Sequence, residues 1–184
     1  RKWRNDDASV SEEKTLEDVR QLVFEFLTTK GNAIRVVGPS GFGKTRFVHA
    51  LINTGDERDD ALDANQIVYC HYDDVSDRII NLSREISDSG SRALLIVDDC
   101  PTAVHTRLSE VAHRQGSNCM VVTIGVESKA DAMRGNLVIQ LNPASDAHIA
   151  DIASAVHERA KGRNEGFVRV LAQGFPRMAV FAAR

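Results

Sequence analysis

The sequence lacks the features that mark membrane-spanning, secreted and zinc-binding proteins. No apolar run approaches the roughly 20 residues of a membrane-spanning helix, and the first residues, RKWRNDD, lack the apolar core of a secretion signal. The three cysteines, Cys70, Cys100 and Cys119, are widely spaced, and no Cys or His pair has the spacing of a zinc site. We therefore expect a cytoplasmic protein whose thiols are reduced and lie in or near its core.

Neither charge nor repetition points to a particular partner. The 184 residues carry a net charge of −3, so there is no overall basic excess that would favour nucleic acid or an anionic membrane. The chain contains no internal repeat or low-complexity tract, and its 42% hydrophobic and 27% charged residues are typical of a globular protein. A chain of this length can form one sizeable α/β core with a small appended part.

One stretch has the pattern of a phosphate-binding loop. Residues 38–45, GPSGFGKT, fit G-x-x-x-x-G-K-[ST]. The apolar run 33–37 before it predicts a strand, and Phe47, Val48 and Leu51 after it have helical spacing. Glycines in such a turn let backbone N–H groups and the positive end of the following helix face phosphate oxygens. The predicted nucleotide-binding residues are Gly38, Pro39, Ser40, Gly41, Phe42, Gly43, Lys44, Thr45 and Arg46.

The last two residues of this pattern have predicted roles in the chemistry. Lys44 would reach the β- and γ-phosphates of a nucleotide, and Thr45 would offer its hydroxyl to a Mg²⁺ ion that bridges those phosphates. The alternative is a glycine-rich turn between a strand and a helix, with a surface lysine. The flanking elements favour the phosphate-binding interpretation, because this motif depends on a strand before it and a helix after it.

The rest of the pattern predicts a layered α/β fold. Apolar runs at 66–72, 93–97, 119–124 and 137–141 predict four further strands, and segments with helical spacing separate them, such as the one from Val75 to Ile86. Strands that alternate with helices imply three layers around a central parallel sheet of about five strands. After the last strand only helical patterns follow, which predicts the start of a small helical subdomain.

These patterns also set the predicted domain boundaries. We predict a nucleotide-binding α/β domain over residues 1–142, with a polar N-terminal extension at 1–14, and a helical subdomain over 143–184. The sequence opens without Met and ends within an apolar helical pattern. We therefore expect a fragment of a longer multidomain protein, with a truncated helical subdomain.

A second motif follows the predicted buried strand at 93–97. Asp98 and Asp99 come directly after four apolar residues, which is the Walker B pattern. Asp98 would orient the Mg²⁺ ion and its waters, and Asp99 could polarise the water that attacks the γ-phosphate. An Asp pair that only ends a strand and starts a turn is the alternative. Among the histidines, His105 and His113 are expected at the surface of one helix.

With both motifs in this order and helices after the last strand, the chain resembles the STAND class of P-loop NTPases. These are NACHT- and NB-ARC-like signalling ATPases, related to AAA+ proteins. Their polar-ended sensor strand and their G-x-P motif in a helical subdomain are matched by Thr123 and by residues 174–176, GFP. The resemblance implies that Pro176 packs near the adenine, while Arg177 is either a γ-phosphate sensor or a surface charge. Many members place an arginine just after the sensor strand, and its absence here implies slow hydrolysis.

The resemblance implies a slow ATP hydrolase that binds ATP or ADP with Mg²⁺ and acts as a nucleotide-controlled conformational and oligomerisation switch in signalling or defence. It also implies sensor and effector domains in the same polypeptide, and self-association with ATP bound. ATP is favoured over GTP because no guanine-reading Asn-Lys-x-Asp-like motif occurs. Two alternatives stay open: an AAA+ ATPase that acts on DNA as an initiator or loader, and a structural nucleotide-binding module without turnover.

Overall fold

The computed structural model describes residues 2–4, 16–29, 33–52, 64–126, 135–156 and 163–183. Within these segments, one sheet contains the strands β1 Lys2–Arg4, β2 Ala33–Val37, β3 Ile67–His71, β4 Ala93–Asp98, β5 Cys119–Gly125 and β6 Leu137–Gln140. The helices are α1 Leu16–Thr29, α2 Lys44–Ile52, α3 Tyr72–Val75, α4 Arg78–Ser89, α5 Thr102–Ala112, α6 Asp146–Val156, α7 Arg163–Ala172 and α8 Pro176–Ala182.

The strand order in the sheet is β1-β6-β2-β5-β4-β3. Strands β2 to β6 are parallel, which confirms the predicted parallel sheet of five strands. Strand β1 was not predicted; it pairs antiparallel with β6, with Lys2 opposite Gln140. Because parallel strands all end at the same edge of a sheet, the phosphate loop after β2 and the Asp pair at the end of β4 lie at one edge.

Helices cover both faces of the sheet, as the predicted three-layer fold requires. Alternate residues of a strand point to opposite faces, so Ile34 and Val36 join one apolar cluster and Ala33 joins another. The first cluster includes Val19, Val23 and Leu27 of α1 and Phe47, Val48 and Leu51 of α2. The second includes Ile79 and Ile80 of α4 and Val104, Leu108 and Ala112 of α5. Each fully buried Val, Leu, Ile, Phe or Met side chain in these clusters contributes about 1.5–3 kcal/mol to folding.

A third apolar cluster lies within α6, α7 and α8 and consists mostly of alanines: Ile149, Ala153, Val168, Ala172, Ala179 and Ala183. The segment before α6 is joined to the turn before α8, because the Ala144 N–H donates to the Gly174 carbonyl at 2.8 Å. Gly174 has φ +78°, and a Cβ there would lie 2.7 Å from Cβ of Pro143. Only glycine fits this close approach. The division of the chain at residues 142 and 143 stays a prediction.

The helical pattern from Val75 to Ile86 is interrupted in the structure. Ser76 has a positive φ of 47° and separates α3 from α4. Its N–H donates to the Tyr72 carbonyl at 2.6 Å, which closes the four-residue helix α3. Serine and aspartate favour turns and helix ends because their side chains compete for local backbone hydrogen bonds. Residues 76 and 77 are therefore a break that apolar spacing alone does not reveal.

The cysteines are free thiols, in agreement with the prediction. Cys100 and Cys119 are buried and Cys70 is half-buried. Burial raises the pKa of both buried thiols to about 11, so they are protonated at neutral pH. Among the helices of the described segments, none combines the length and apolar character needed to cross a bilayer.

Candidate nucleotide-binding site

The phosphate loop, residues 38–45, wraps around the side chain of Lys44. Lys44 is the first residue of α2 and is only 8% exposed. Its Nζ donates to the carbonyl oxygens of Gly38 at 2.8 Å and Pro39 at 3.1 Å. Burial lowers the pKa of Lys44, and the carboxylates of Asp99 and Asp98 oppose this shift. The loop thus holds a cation within its turn, where an anionic phosphate group would bind.

Asp98 receives hydrogen bonds from three parts of the chain. The Thr45 hydroxyl donates to Oδ2 at 2.7 Å, and the Tyr69 hydroxyl donates to the same oxygen at 2.8 Å. The backbone N–H of Asp99 donates to Oδ1 at 2.9 Å. The structure therefore brings together Thr45 and Asp98, the two residues predicted to hold Mg²⁺.

Tyr69 is a site residue that the sequence did not predict. It lies on β3, opposite Ile96 of β4 in the parallel register, so its hydroxyl can reach Asp98 at the end of β4. Burial and the Asp98 hydrogen bond raise the pKa of Tyr69 to about 12. The strand that carries Tyr69 was predicted, but its place beside β4 was not, and no motif includes the tyrosine.

Asp99 lies at the start of the turn that follows β4. Its φ is +48°, which is uncommon for a residue other than glycine. Its carboxylate is 60% exposed, and Nε2 of His71 lies 2.9 Å from Oδ2. Oδ2 of Asp73 lies 4.0 Å from Nδ1 of the same histidine. The residue predicted to polarise water thus has an open side and an imidazole from the end of β3 as its neighbour.

Thr123 lies on the sheet face that packs against α4 and α5, whereas α2 packs against the other face. It is fully buried; its hydroxyl accepts a hydrogen bond from Arg35 at 3.1 Å and lies 2.8 Å from Nδ1 of His105. The network continues from Nε2 of His105 to Asn136 at 3.2 Å, and Asn136 accepts from Ser109 at 2.8 Å. The role of Thr123 at the γ-phosphate stays a prediction.

His105 was predicted at the surface, and that prediction was wrong. The helix α5 buries a wide face that includes His105 and Ser109 as well as its apolar residues. Because the Asn136 amide donates to Nε2, Nδ1 carries the proton and donates to Thr123. Burial, with smaller effects from Arg35 and His113, lowers the pKa of His105 to about 3, so the ring is neutral. A buried polar network was not evident from apolar spacing.

The start of α8 contacts the phosphate loop directly. The Arg177 N–H donates to the Gly41 carbonyl at 3.3 Å. The rings of Phe42 and Phe175 meet edge to face, with centroids 4.7 Å apart. Gly41 has φ +88°, and a Cβ there would lie 3.3 Å from Cβ of Arg177, so glycine allows both the turn and the contact.

The G-x-P segment is therefore next to the loop. Pro176 is the first residue of α8, where its missing N–H costs no helical hydrogen bond. The side chain of Arg177 is exposed, and its guanidinium lies 5.8 Å from the Phe181 ring centroid. Pro39, Ser40 and Arg46 are also exposed. The roles of Pro176 and Arg177 toward a nucleotide stay predictions.

The donor set of this site fits a Mg²⁺–nucleotide ligand. Mg²⁺ prefers oxygen ligands, and a hydroxyl that donates its hydrogen keeps two lone pairs for a cation. Thr45 donates to Asp98, so its lone pairs are directed away from that carboxylate. In such a complex Lys44 would supply the positive charge for phosphate oxygens, and Thr45 and Asp98 would supply oxygens for the metal.

No model of a known protein family matches this sequence, and no curated protein matches it. Solved structures do resemble it. A chain in the structure of Drosophila ORC bound to DNA has a TM-score of 0.59 and 19% identity over 90% of this chain and 52% of that chain. The chain thus spans about half the length of the ORC chain that it matches.

Two further structures resemble the chain at lower identity. A STAND protein with a tetratricopeptide repeat sensor from Pyrococcus horikoshii has a TM-score of 0.55 and 12% identity, over 92% of this chain and 29% of that one. A chain of the HORMA:CdnC:Trip13 complex of E. coli MS115-1 has a TM-score of 0.52 and 8% identity, over 91% of this chain and 86% of that one. These matches establish the fold, an α/β P-loop NTPase-like fold.

Proposed function

We propose that this chain is an ATP- and ADP-binding, Mg²⁺-dependent NTPase domain that acts as a nucleotide-controlled switch in a signalling or defence protein. The observation that carries the proposal is the contact between the phosphate loop and α8 through Gly41, Phe42 and Phe175. A nucleotide bound in the loop would lie next to this contact. This closeness supports a link between nucleotide binding and the position of α8.

The proposed binding chemistry assigns tasks to Lys44 and Thr45 of the loop and to the Asp pair. Lys44 would neutralise the β- and γ-phosphates, and Thr45 and Asp98 would hold Mg²⁺, which would supply positive charge to the phosphate oxygens. Asp99 accepts a proton from the water that attacks the γ-phosphorus, so that the bond to the β–γ bridging oxygen breaks and ADP and phosphate leave. Turnover is slow, because the sequence lacks an arginine after β5.

The switch depends on a difference between two nucleotide states. A ligand that binds two conformations equally cannot shift their populations. We propose that ADP leaves α8 packed on the loop, and that the γ-phosphate of ATP favours release of α8 and self-association. Flanking sensor and effector domains of the same polypeptide would then control and read this change.

Equilibrium binding of fluorescent ADP and ATP to the purified chain, with and without Mg²⁺, tests the proposal. We expect Mg²⁺ to tighten binding, and Lys44→Ala to weaken it by at least about tenfold, because a charge-assisted hydrogen bond contributes about 1.5–3 kcal/mol. Arg84→Ala, which removes an exposed positive charge from α4, is the matched control and should bind as the wild type does. Equal affinities for wild type and Lys44→Ala would refute the proposed site.

A second candidate is an AAA+ ATPase that acts on DNA as an initiator or loader, and the similarity to an ORC chain favours it. It predicts that DNA binding requires ATP and that DNA stimulates turnover. Fluorescence anisotropy with a labelled duplex, measured with ATP and with ADP, separates the two functions. No ATP-dependent DNA binding would exclude the AAA+ candidate, and tight nucleotide binding without any phosphate release would favour a structural module.

A further inference from the structure

Oδ2 of Asp98 accepts two hydrogen bonds, and only one of them belongs to the known sequence motifs. Thr45 is the last residue of the phosphate-loop pattern and donates at 2.7 Å. Tyr69 comes from β3, 29 residues before Asp98, and donates at 2.8 Å. A second donor from another element restricts how the carboxylate can rotate.

The position of Tyr69 is itself fixed from two sides. The parallel pairing of β3 with β4 places Tyr69 opposite Ile96, two residues before Asp98. On its other side, the Tyr69 ring lies 5.1 Å from the His49 ring of α2, with the two planes at 37°. The tyrosine therefore bridges α2, which follows the phosphate loop, and β4, which ends in Asp98.

The directions of these hydrogen bonds matter for a cation at this site. Thr45 gives its only hydroxyl hydrogen to Asp98 and keeps its lone pairs for a metal. Asp99 N–H holds Oδ1 at 2.9 Å, and Tyr69 holds Oδ2. With both oxygens held, the carboxylate keeps one orientation when the Thr45 lone pairs face a metal. Hydrogen-bonded partners of metal-binding carboxylates commonly set metal affinity in this way.

We propose that Tyr69 is a positioning residue for the metal: its hydroxyl holds Asp98 in the orientation that receives nucleotide-bound Mg²⁺. This inference rests on the proposed function, since the metal is the Mg²⁺ of that site. It adds a residue of β3 to the metal site, which the sequence motifs assign only to Thr45 and Asp98. In this role Tyr69 acts through Asp98 and needs no contact with the nucleotide or the reacting water.

The test is a Mg²⁺ titration of the full chain at a fixed concentration of fluorescent ADP, followed by anisotropy. Tyr69→Phe removes only the hydroxyl. We expect it to raise the Mg²⁺ concentration for half-saturation about tenfold, while ADP affinity without Mg²⁺ and the circular dichroism spectrum stay those of the wild type. Tyr72→Phe is a matched control, because Tyr72 is the one other tyrosine of the chain and lies on α3.

A double-mutant cycle assigns the effect to Asp98. In an Asp98→Asn background, Tyr69→Phe should cause no further change in the Mg²⁺ dependence, because the partner carboxylate is gone. An unchanged Mg²⁺ titration for Tyr69→Phe would overturn the inference alone. An equal loss of ADP affinity with and without Mg²⁺ would also overturn it, since the effect would then lie in the fold of the pocket. No Mg²⁺-dependent binding by the wild type would contradict the proposed function, and this inference with it.

Discussion

His105 and Arg35 are polar side chains in the centre of a layer of apolar ones. His105 is fully buried and neutral, and Arg35, on the central strand β2, is 1% exposed. Both bond to the hydroxyl of Thr123, so one threonine joins β2, β5 and α5. Because the fold lowers the pKa of His105, the free energy of unfolding must depend on pH.

Acid should destabilise the protein through His105. In the unfolded chain a histidine binds a proton near pH 6.5, whereas native His105 does so only near pH 3. Between these values the unfolded state holds the extra proton, so the free energy of unfolding falls as pH falls, by up to about 1.4 kcal/mol per pH unit. Urea unfolding at pH 7 and pH 5 should therefore show a loss of about 2 kcal/mol attributable to His105.

His105→Gln isolates this contribution, because glutamine keeps polar atoms but does not titrate in this range. The variant should lose less stability than the wild type between pH 7 and pH 5. His148→Gln, at an exposed position on α6, is the control and should follow the wild-type pH dependence. Parallel pH dependences for wild type and His105→Gln would contradict the buried, neutral assignment.

His71 should affect turnover without affecting nucleotide affinity. Its ring contacts Asp99, the proposed proton acceptor, from the end of β3. Removing the ring in His71→Ala should lower kcat about tenfold, because the carboxylate loses a neighbour that orients it. The dissociation constant for ADP should stay within about twofold, since His71 has no proposed contact with phosphate. His71→Asn should recover part of the rate; a rate for His71→Ala equal to or above the wild type would show that His71 does not position Asp99.

The sequence predicts side chains that belong to a contiguous motif. It does not predict side chains whose hydrogen-bond partners are distant in the chain. Lys44, Thr45 and Asp98 were predicted because contiguous patterns define them. Tyr69 and His105 were not, because their partners Asp98 and Thr123 are 29 and 18 residues away in the chain. Such pairs depend on strand order and helix placement, which spacing along the chain does not specify.

The predicted strands and helices are present in the structure, but the sequence did not predict which of them contact each other. The five parallel strands were predicted from buried apolar runs. Strand β1 was not, because three residues in a charged segment carry no strand pattern and are held by pairing with β6. The break at Ser76 was likewise hidden by apolar spacing that continues across it.

The contact between α8 and the phosphate loop gives a prediction for the element as a whole. Phe175→Ala removes an edge-to-face ring contact with Phe42, which is worth about 0.5–1.5 kcal/mol beyond its buried area. Amide hydrogen exchange of α8 with ADP bound should speed up about tenfold, since about 1.4 kcal/mol corresponds to a factor of ten. Phe167→Ala, at a 63% exposed position on α7, should leave that exchange unchanged. Equal rates in the two variants would mean that the aromatic pair does not hold α8 to the loop.

The layered fold of the protein was predictable, while the arrangement of the candidate site was not. Alternation of strands and helices predicts three layers, and the parallel pairing of β2, β5 and β4 places the ends of β2 and β4 at one edge. The last helix returns to that same edge and meets the loop at Gly41. The resemblance implies that Pro176 packs near the adenine, and that stays a prediction. The sequence gives no sign of the atoms that join α8 to the loop, Arg177 N–H and the Phe175 ring.

The most direct test of the proposed switch is hydrogen exchange across α8 in two nucleotide states of the wild-type chain. We predict slower exchange at residues 176–182 with Mg²⁺ and ADP than with Mg²⁺ and a non-hydrolysable ATP analogue, and no such difference in Lys44→Ala. Identical exchange in the two states, at saturating nucleotide, would show that α8 does not respond to which nucleotide is bound, and would contradict the switch.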